Sequence, residues 1–339
     1  MTTKRATITD VAKQANVSIM TVSRVLNNTS NVSVDTRDKV MQAIKSLNYR
    51  PNVSARRLAS TQSFFLGLLY DNPSTGYVSK FLLQALKSCR TKGYHLVVDE
   101  CTGDLDSMLI TVNSLIEDTK VDGIILLPPL SDMIELLEAL QAKNIPFVRI
   151  APDKALNMSP YVCMDDYTAS FDMTNYLIEK GHKLIGFISG HYNQGVSRLR
   201  YQGYLDALRS NSIDVPPEYI EQGFFDYKSG MVAADKILSL EHQPTAIFAS
   251  NDDMAAAVIA SAHIKGLEVP EDLAVAGFDD IHIAEVIWPN LTTIRQPIPE
   301  MADAAITVLS NYINTHNKSF DKSDYRNVLD FELIKRQST

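Results

Sequence analysis

Arg24, Ser23 and Asn27 share one side of a short predicted helix with Ile19 and Met20. A guanidinium on such a face can donate two parallel hydrogen bonds to guanine O6 and N7, the commonest specific contact between a side chain and a base pair. Ile19 and Met20 offer no such bidentate pair and suit thymine methyls or other van der Waals contacts. Thr7, Ser18, Thr21, Ser23 and Tyr49 carry hydroxyls fit for phosphates or groove edges, contacts that position without specifying. A second constellation lies far downstream. Asp71, Asn251 with Asp252, and Asp279 each follow an apolar β-rich run, and carboxylates and an amide can hydrogen-bond vicinal hydroxyls in pairs. Tyr77 and Trp288 are aromatic candidates for a sugar face. Each aspartate at a strand end has a plainer alternative role as the cap of the next helix.

The elements that must hold the first set are three short helices. Thr7 with Asp10 three residues on is a capping-box variant, and Ile8, Val11, Ala12 and Ala15 repeat along one helical face. Asn16-Val17 can turn the chain, and Ser18 caps a second helix whose inner face is Val22, Val25 and Leu26. A third helix follows Ser33, with Asp35 near its positive end and Val40, Ile44 and Leu47 at core spacing. Helix pattern alone also fits a bundle without a partner; charge argues against that. Residues 1–62 carry ten Lys/Arg against three Asp/Glu, a net +7, while the remainder carries 22 against 37, a net −15, giving −8 for the chain. A basic head on an acidic body confines phosphate neutralisation to one end.

Beyond residue 62 the period changes. Phe64–Tyr70, Leu96–Asp99, Gly123–Leu127 and Phe147–Ile150 read as strands, alternating with helices around Phe81–Cys89, Leu109–Ile116 and Ile134–Leu140. The theme repeats with strands at Leu184–Ile188, Ala246–Ala249 and Ala274–Phe278, among helices near Met173–Glu179, Tyr201–Leu208, Met231–Leu238 and Met254–Ala262. Repeated βαβ units give parallel sheets, and two such halves close around a ligand at the carboxyl ends of their strands.

The chain resembles the lactose/galactose-repressor (LacI/GalR) family of bacterial regulators. The likeness is carried by Thr7-Ile-Thr-Asp-Val-Ala12, Ala15-Asn-Val-Ser18 and Thr21-Val-Ser-Arg-Val-Leu-Asn27, and continues through Leu47-Asn-Tyr-Arg-Pro-Asn52, Ala55-Arg-Arg-Leu-Ala59, Asn251-Asp252 and Gly277-Phe-Asp-Asp280. The resemblance implies a small all-α helix-turn-helix head and an α/β periplasmic-binding-protein-like effector domain of two Rossmann-like subdomains. The expected boundaries are 1–50 for the head, 51–62 for a hinge helix and linker, and 63–339 for effector binding and dimerisation. Within the last, a first subdomain takes about 63–163 and 293–324, and a second takes 164–292 and 325–339. The expected crossings lie near Cys163, Thr292 and Asp324, with Val328–Ile334 finishing the second half. Arg24 matches the family's base-contacting arginine, and Ile19 and Met20 occupy the positions by which members differ in operator choice. Leu58 matches a leucine wedged into the minor groove, with Asn52, Ala55 and Arg56 alongside; alone, so short a helix would be mostly unfolded. Arg200 matches an effector-contacting arginine and Phe225 an aromatic that packs on the ligand, while the family's cleft phenylalanine is replaced here by Ile298.

These readings imply a cytoplasmic regulator, most simply a repressor, that binds double-stranded pseudo-palindromic operator DNA as a homodimer and answers to a small-molecule effector. A neutral sugar or short oligosaccharide leads; a purine or nucleoside is the alternative. The dimer seam is expected along the helix after Phe81 and near Met254–Ala262 and Ile281–Trp288. An enzyme on a similar α/β fold would need a motif that the chain lacks: it has no G-x-S-x-G elbow, no P-loop and no G-x-G-x-x-G, and His182 and His191 have no evident nucleophile. Cys89, Cys101 and Cys163 show no metal spacing, no cofactor is implied, and no apolar run reaches membrane length.

Overall fold

The structure, a computed structural model, describes residues 6–26, 32–47, 49, 62–314 and 326–339. It divides into two units at Phe64/Phe65. Asn27, Asn52, Ala55, Arg56 and Leu58, named above as DNA contacts, lie outside the described residues.

In the head, helices span Ile8–Ala15, Ile19–Leu26 and Val34–Ser46. Each start follows from a hydroxyl cap. Thr7 Oγ1 accepts from the Asp10 N–H while the Asp10 carboxylate accepts from the Thr7 N–H at 2.8 Å, closing the box that the sequence shows. Ser18 Oγ accepts from Thr21 N–H at 3.1 Å, and Ser33 caps the third helix in the same way. Asn16 ends the first helix in the left-handed region at φ 51°, which its short polar side chain tolerates. Val11, Ala12, Ala15, Val22, Val25, Val40 and Ala43 form the core. Leu26, Ile44 and Leu47 pack at its margin.

The second unit is two lobes built on one plan. The first has six parallel strands in the order β11-β5-β4-β3-β1-β2, formed by β1 (Phe65–Tyr70), β2 (His95–Glu100), β3 (Gly123–Leu126), β4 (Phe147–Ile150), β5 (Tyr161–Met164) and β11 (Arg326–Leu329). The second has the order β12-β10-β9-β8-β6-β7, formed by β6 (Ile185–Ser189), β7 (Ile220–Gln222), β8 (Ala246–Ala249), β9 (Ala274–Asp279), β10 (Thr292–Arg295) and β12 (Glu332–Ile334). Only β12 pairs antiparallel. Fully apolar central strands such as Gly123–Leu126 and Ala246–Ala249 are buried on both faces, as parallel sheets require. Separate cores fill the lobes, around Leu126, Leu136 and Phe147 in the first and around Phe187, Tyr204 and Phe248 in the second.

The chain passes from the first sheet to the second at Asp165, returns at Gln296-Pro297, and passes over again at Asp330-Phe331. Two expectations from the sequence, one crossing and one strand assignment, need correction. The crossing expected near Thr292 comes later: Thr292–Arg295 belongs to the second sheet, pairing with β9, before the helix Ile298–Asn314 returns to pack on the first lobe. Val328 belongs to the first sheet, where it pairs with Cys163, and only Glu332–Ile334 finishes the second. The break is Asp330-Phe331, and runs of four and three residues are too short to announce which sheet they join.

Candidate functional site

The helix Ile19–Leu26 turns one face of the head outward. Val22 and Val25 point into the core, so Met20 (65% exposed), Ile19 (47%) and Arg24 are left toward solvent, with Thr21 and Ser23 half-buried beside them. The hydroxyls of Thr7 and Ser18 are already committed: Thr7 Oγ1 donates to the Asp10 carboxylate at 2.7 Å, and Ser18 Oγ lies 2.9 Å from Thr21 Oγ1. Tyr49 is half-buried at the margin of the head core, and burial pushes its phenol above the ordinary value.

In the second unit the carboxyl ends of both sheets converge on one recess, partly open to solvent. Its walls follow the strand order: Asn72 and Ser74 come after β1, Pro128 after β3, Ala151 after β4, Gln194 after β6, Asn251 after β8, Asp279 from the end of β9 and Gln296 after β10. Tyr77, Val196, Arg200 and Phe225 complete it. Thus Tyr77, Arg200, Phe225, Asn251 and Asp279 are brought together. Asp71 stands just outside, half-buried, its carboxyl raised by burial and then by Glu100. Trp288 does not enter the recess: it is 75% exposed, on the loop after the helix His282–Val286.

Arg200 organises the charge. Its Nε donates to the Asp166 carboxylate at 2.8 Å, Nη1 donates to the Ser250 carbonyl at 2.6 Å, and the guanidinium lies 3.6 Å from the centre of the Phe278 ring. Both ends of the Arg200–Asp166 pair are buried, and burial holds Asp166 above the ordinary carboxylate value against the pull of Arg200. Asp279 sits 3.8 Å from Arg200 and accepts from Gln296 Nε2 at 2.5 Å. Burial drives its pKa up to about 7, with Arg200 and the Gln296 hydrogen bond opposing the rise. Asp252, immediately behind, accepts from Thr293 Oγ1 at 2.6 Å and from Ile281 N–H at 2.8 Å. Burial, then the charge of Asp279, pushes it well above the usual range. Asn251 does cap the next helix, accepting from Met254 N–H at 3.0 Å, yet it also lines the recess and donates to the Phe225 carbonyl at 2.9 Å. Burial likewise raises the Tyr77 phenol, so it stands as a neutral donor.

Backbone strain gathers here. Ala151, Phe225 and Asp279 hold φ of 45°, 64° and 110°, a region costing L-residues about 1–3 kcal/mol each, and it aims their side chains at the recess. The lobes also touch across it. Ser74 Oγ donates to Asp253 at 2.7 Å, Lys80 Nζ donates to the Asp280 carbonyl at 2.9 Å, and Arg198 pairs with Asp153 at 2.7 Å. Gly76 and Gly195 allow this approach: a Cβ would meet Ile281 at 2.6 Å and Asp153 at 2.1 Å respectively.

Gln194, Gln296, Asn72, Ser74, Pro128, Ala151 and Val196 were missed by residue-type reasoning. The strand-end rule would have reached most of them, since they follow strands already identified. Among the described residues no group of three or more His, Cys, Asp or Glu could hold a metal ion, and no helix is long and apolar enough to cross a membrane.

Comparison with known proteins agrees at two levels. A profile for "Bacterial regulatory proteins, lacI family" matches residues 7–52, and one for a periplasmic binding protein-like domain matches 174–339. The chain is 35% identical over 310 residues to catabolite control protein A of Priestia megaterium, covering 91% of this chain and 92% of that protein. It is 32% identical over 338 residues to the HTH-type transcriptional repressor PurR of Pasteurella multocida, covering 98% of both. Among solved structures, the complex of the transcriptional regulator CelR with cellobiose superposes with a TM-score of 0.74 at 28% identity, covering 99% of this chain and 100% of that one. The lac repressor dimer bound to operator and the anti-inducer ONPF gives 0.73 at 27%, covering 99% of each.

Proposed function

This chain belongs to the lacI family of bacterial regulatory proteins, and from that premise we propose that it is a transcriptional repressor that grips a pseudo-palindromic operator as a dimer and is switched by a small neutral ligand in the recess. Regulators, not enzymes, are its relatives. The observation that carries the DNA reading is the outward set Ile19, Met20 and Arg24 on a helix whose other face is fixed by Val22 and Val25. Arg24 reads a guanine in each half-site, Ile19 and Met20 take apolar contacts, and Thr21, Ser23 and Tyr49 steady the backbone. The segment 51–62 relays the ligand state to the head, with Leu58 as the minor-groove wedge. A dimer accounts for exposed apolar side chains on the elements where a seam is expected: Leu83 and Leu86 in the first lobe, Ile264, Val286 and Trp288 in the second. Its place of action is the cytoplasm, where the operator is.

The ligand class we favour is a neutral sugar. Asn72, Gln194, Asn251 and Gln296 supply paired donors and acceptors, and Arg200 is already neutralised by Asp166, so the lining rewards hydroxyls rather than a charge. A purine or nucleoside is the second reading, favoured by the Phe225 ring on one wall. Binding-site selection from random duplexes tests the first proposal. Arg24→Ala is expected to relax one symmetric base position at a cost of about 1–3 kcal/mol per half-site. Unchanged preference, or binding insensitive to salt, rejects the reading. A thermal-shift series with mono- and disaccharides against hypoxanthine, adenine and their nucleosides separates the ligand classes, because a specific ligand raises the midpoint by mass action.

A further inference from the structure

We propose that the second lobe carries an outer binding site for a neutral carbohydrate, in the groove between the helix Gly195–Ser210 and the edge strand β7, walled off from the recess. The groove holds about 940 Å³ of space open to solvent, with Tyr192, Tyr201, Arg198, Glu221 and Gln222 among its lining.

Three features point to a ligand of that class. The first is a set of aromatic rings at the surface, Tyr192 and Phe224 exposed and Tyr201 half-buried. The Tyr192 side chain is 78% exposed, stacked on His191 with ring centres 4.5 Å apart, and His191 in turn lies 5.4 Å from the exposed Phe224. Tyr201 is anchored from behind by Phe187 at 5.6 Å. Exposed rings of this kind gain by receiving the C–H face of a pyranose. The second is balanced charge. Arg198 is paired with Asp153 at 2.7 Å and Glu221 with Lys236 at 2.8 Å, so both groove charges have partners and neither needs an ionic ligand. Each keeps hydrogen-bonding capacity for hydroxyls, as does Gln222, whose Nε2 is held by the carbonyls of Gly190 and Gly223. The third is the shared wall. A Cβ on Gly190, which lines the groove, would lie 1.9 Å from the ring of Phe225, which lines the recess. Ring and backbone are therefore in direct contact, and the two spaces are neighbours rather than one. Arg198 ties the groove to the first lobe through Asp153, so an occupant touching Arg198 bears on lobe closure.

The test uses full-length protein carrying Asp279→Asn, which weakens the recess by removing its carboxylate, so that binding lost on a further groove substitution reports the outer site. Calorimetric titration with maltose, cellobiose and the methyl glycosides of glucose, galactose and mannose is expected to show saturable binding of at least one of them. Adding Tyr192→Ala is expected to weaken that binding at least tenfold, and Glu221→Gln severalfold, with an unchanged thermal midpoint for the exposed Tyr192. The proposal is overturned by any one of three results: no saccharide binds the Asp279→Asn protein, neither groove substitution alters the binding seen, or hypoxanthine or an extended peptide competes for the same site. A recess that proves to take a purine defeats the sugar reading of the recess alone: hypoxanthine binding would then be weakened by Asp279→Asn and unchanged by Tyr192→Ala, while the groove titration stands.

Discussion

At the recess the first lobe presents Asn72, Ser74, Tyr77, Pro128 and Ala151, none of them charged at neutral pH, whereas the second presents Arg200 and Asp279 together with Gln194, Phe225 and Asn251. The lobes share one strand order, so the difference is not architectural. It lies in what was placed at the strand ends. At the recess the second lobe holds the buried Arg200–Asp166 pair, Asp279 beside it, and two of the three strained residues, Phe225 and Asp279; under the proposed function it is the lobe that recognises. The first lobe reaches over with a few polar contacts, through Ser74, Lys80 and Asp153, and under the proposed function it registers whether the recess is filled. Division of labour of this kind makes closure responsive, because weak contacts can be made and broken while the recognising set stays rigid.

The comparison can be broken most directly at Arg200. Arg200→Ala strands Asp166 in a buried position, and loss of one partner of such a pair costs about 3–5 kcal/mol. Urea unfolding should show it, with ligand response gone; a change under 1 kcal/mol, by the same order-of-magnitude scale, would mean that Arg200 is not the organiser. Next comes Asp279. A ligand that donates to its carboxylate needs the ionised form, so affinity should rise by up to about tenfold per pH unit as pH climbs toward about 7 and level off above it. The stability of the empty protein should run the other way. An acid whose folded value is raised from 3.8 to about 7 favours the fold while protonated, and that contribution is lost as pH rises through this window. Asp279→Asn should flatten both profiles and cost about 1.5–3 kcal/mol of ligand affinity, measured by titration at pH 6 and 8. The smallest effect is expected from the first lobe. Ser74→Ala removes the hydrogen bond to Asp253 and should weaken ligand binding by about 1 kcal/mol without shifting its pH profile. If Ser74→Ala costs more than Asp279→Asn, the assignment of recognition to the second lobe is wrong.

Much of this was legible in the sequence, for physical reasons that differ by region. The head's start signals are local: Thr7 with Asp10, Ser18 and Ser33 act within one helical turn, and the structure shows each cap in place. Central strands such as Ala246–Ala249 stand out because burial on both faces demands an unbroken apolar run. Short strands with polar residues among them do not: interior β5 and β10 were missed along with the edge strand β7, and β11 and β12 were misplaced, whereas β2 was read although it lies at an edge. In the recess, Asp279 was visible from its strand end and Tyr77 from its ring, whereas Arg200 and Phe225 entered only through the family resemblance. Trp288 misled because a lone tryptophan invites a ligand role that its position on the surface denies. Ala151 and Pro128 carry no chemical signal at all; they enter only because β4 and β3 deliver them, and the positive φ of Ala151 is invisible in its letter.

The interleaved path of the chain fixes an order of events at the ribosome. The first sheet lacks an edge until Arg326–Leu329 has been made, and the second lacks one until Glu332–Ile334 follows a few residues later. Neither lobe can therefore be finished and set aside while the other is synthesised. Ser338, fully buried between Val275 and Thr292, adds a last stitch to the second. A nascent chain halted anywhere before these residues leaves two incomplete sheets at once, so during translation the pair of lobes behaves as one late-maturing body rather than as two beads on a string.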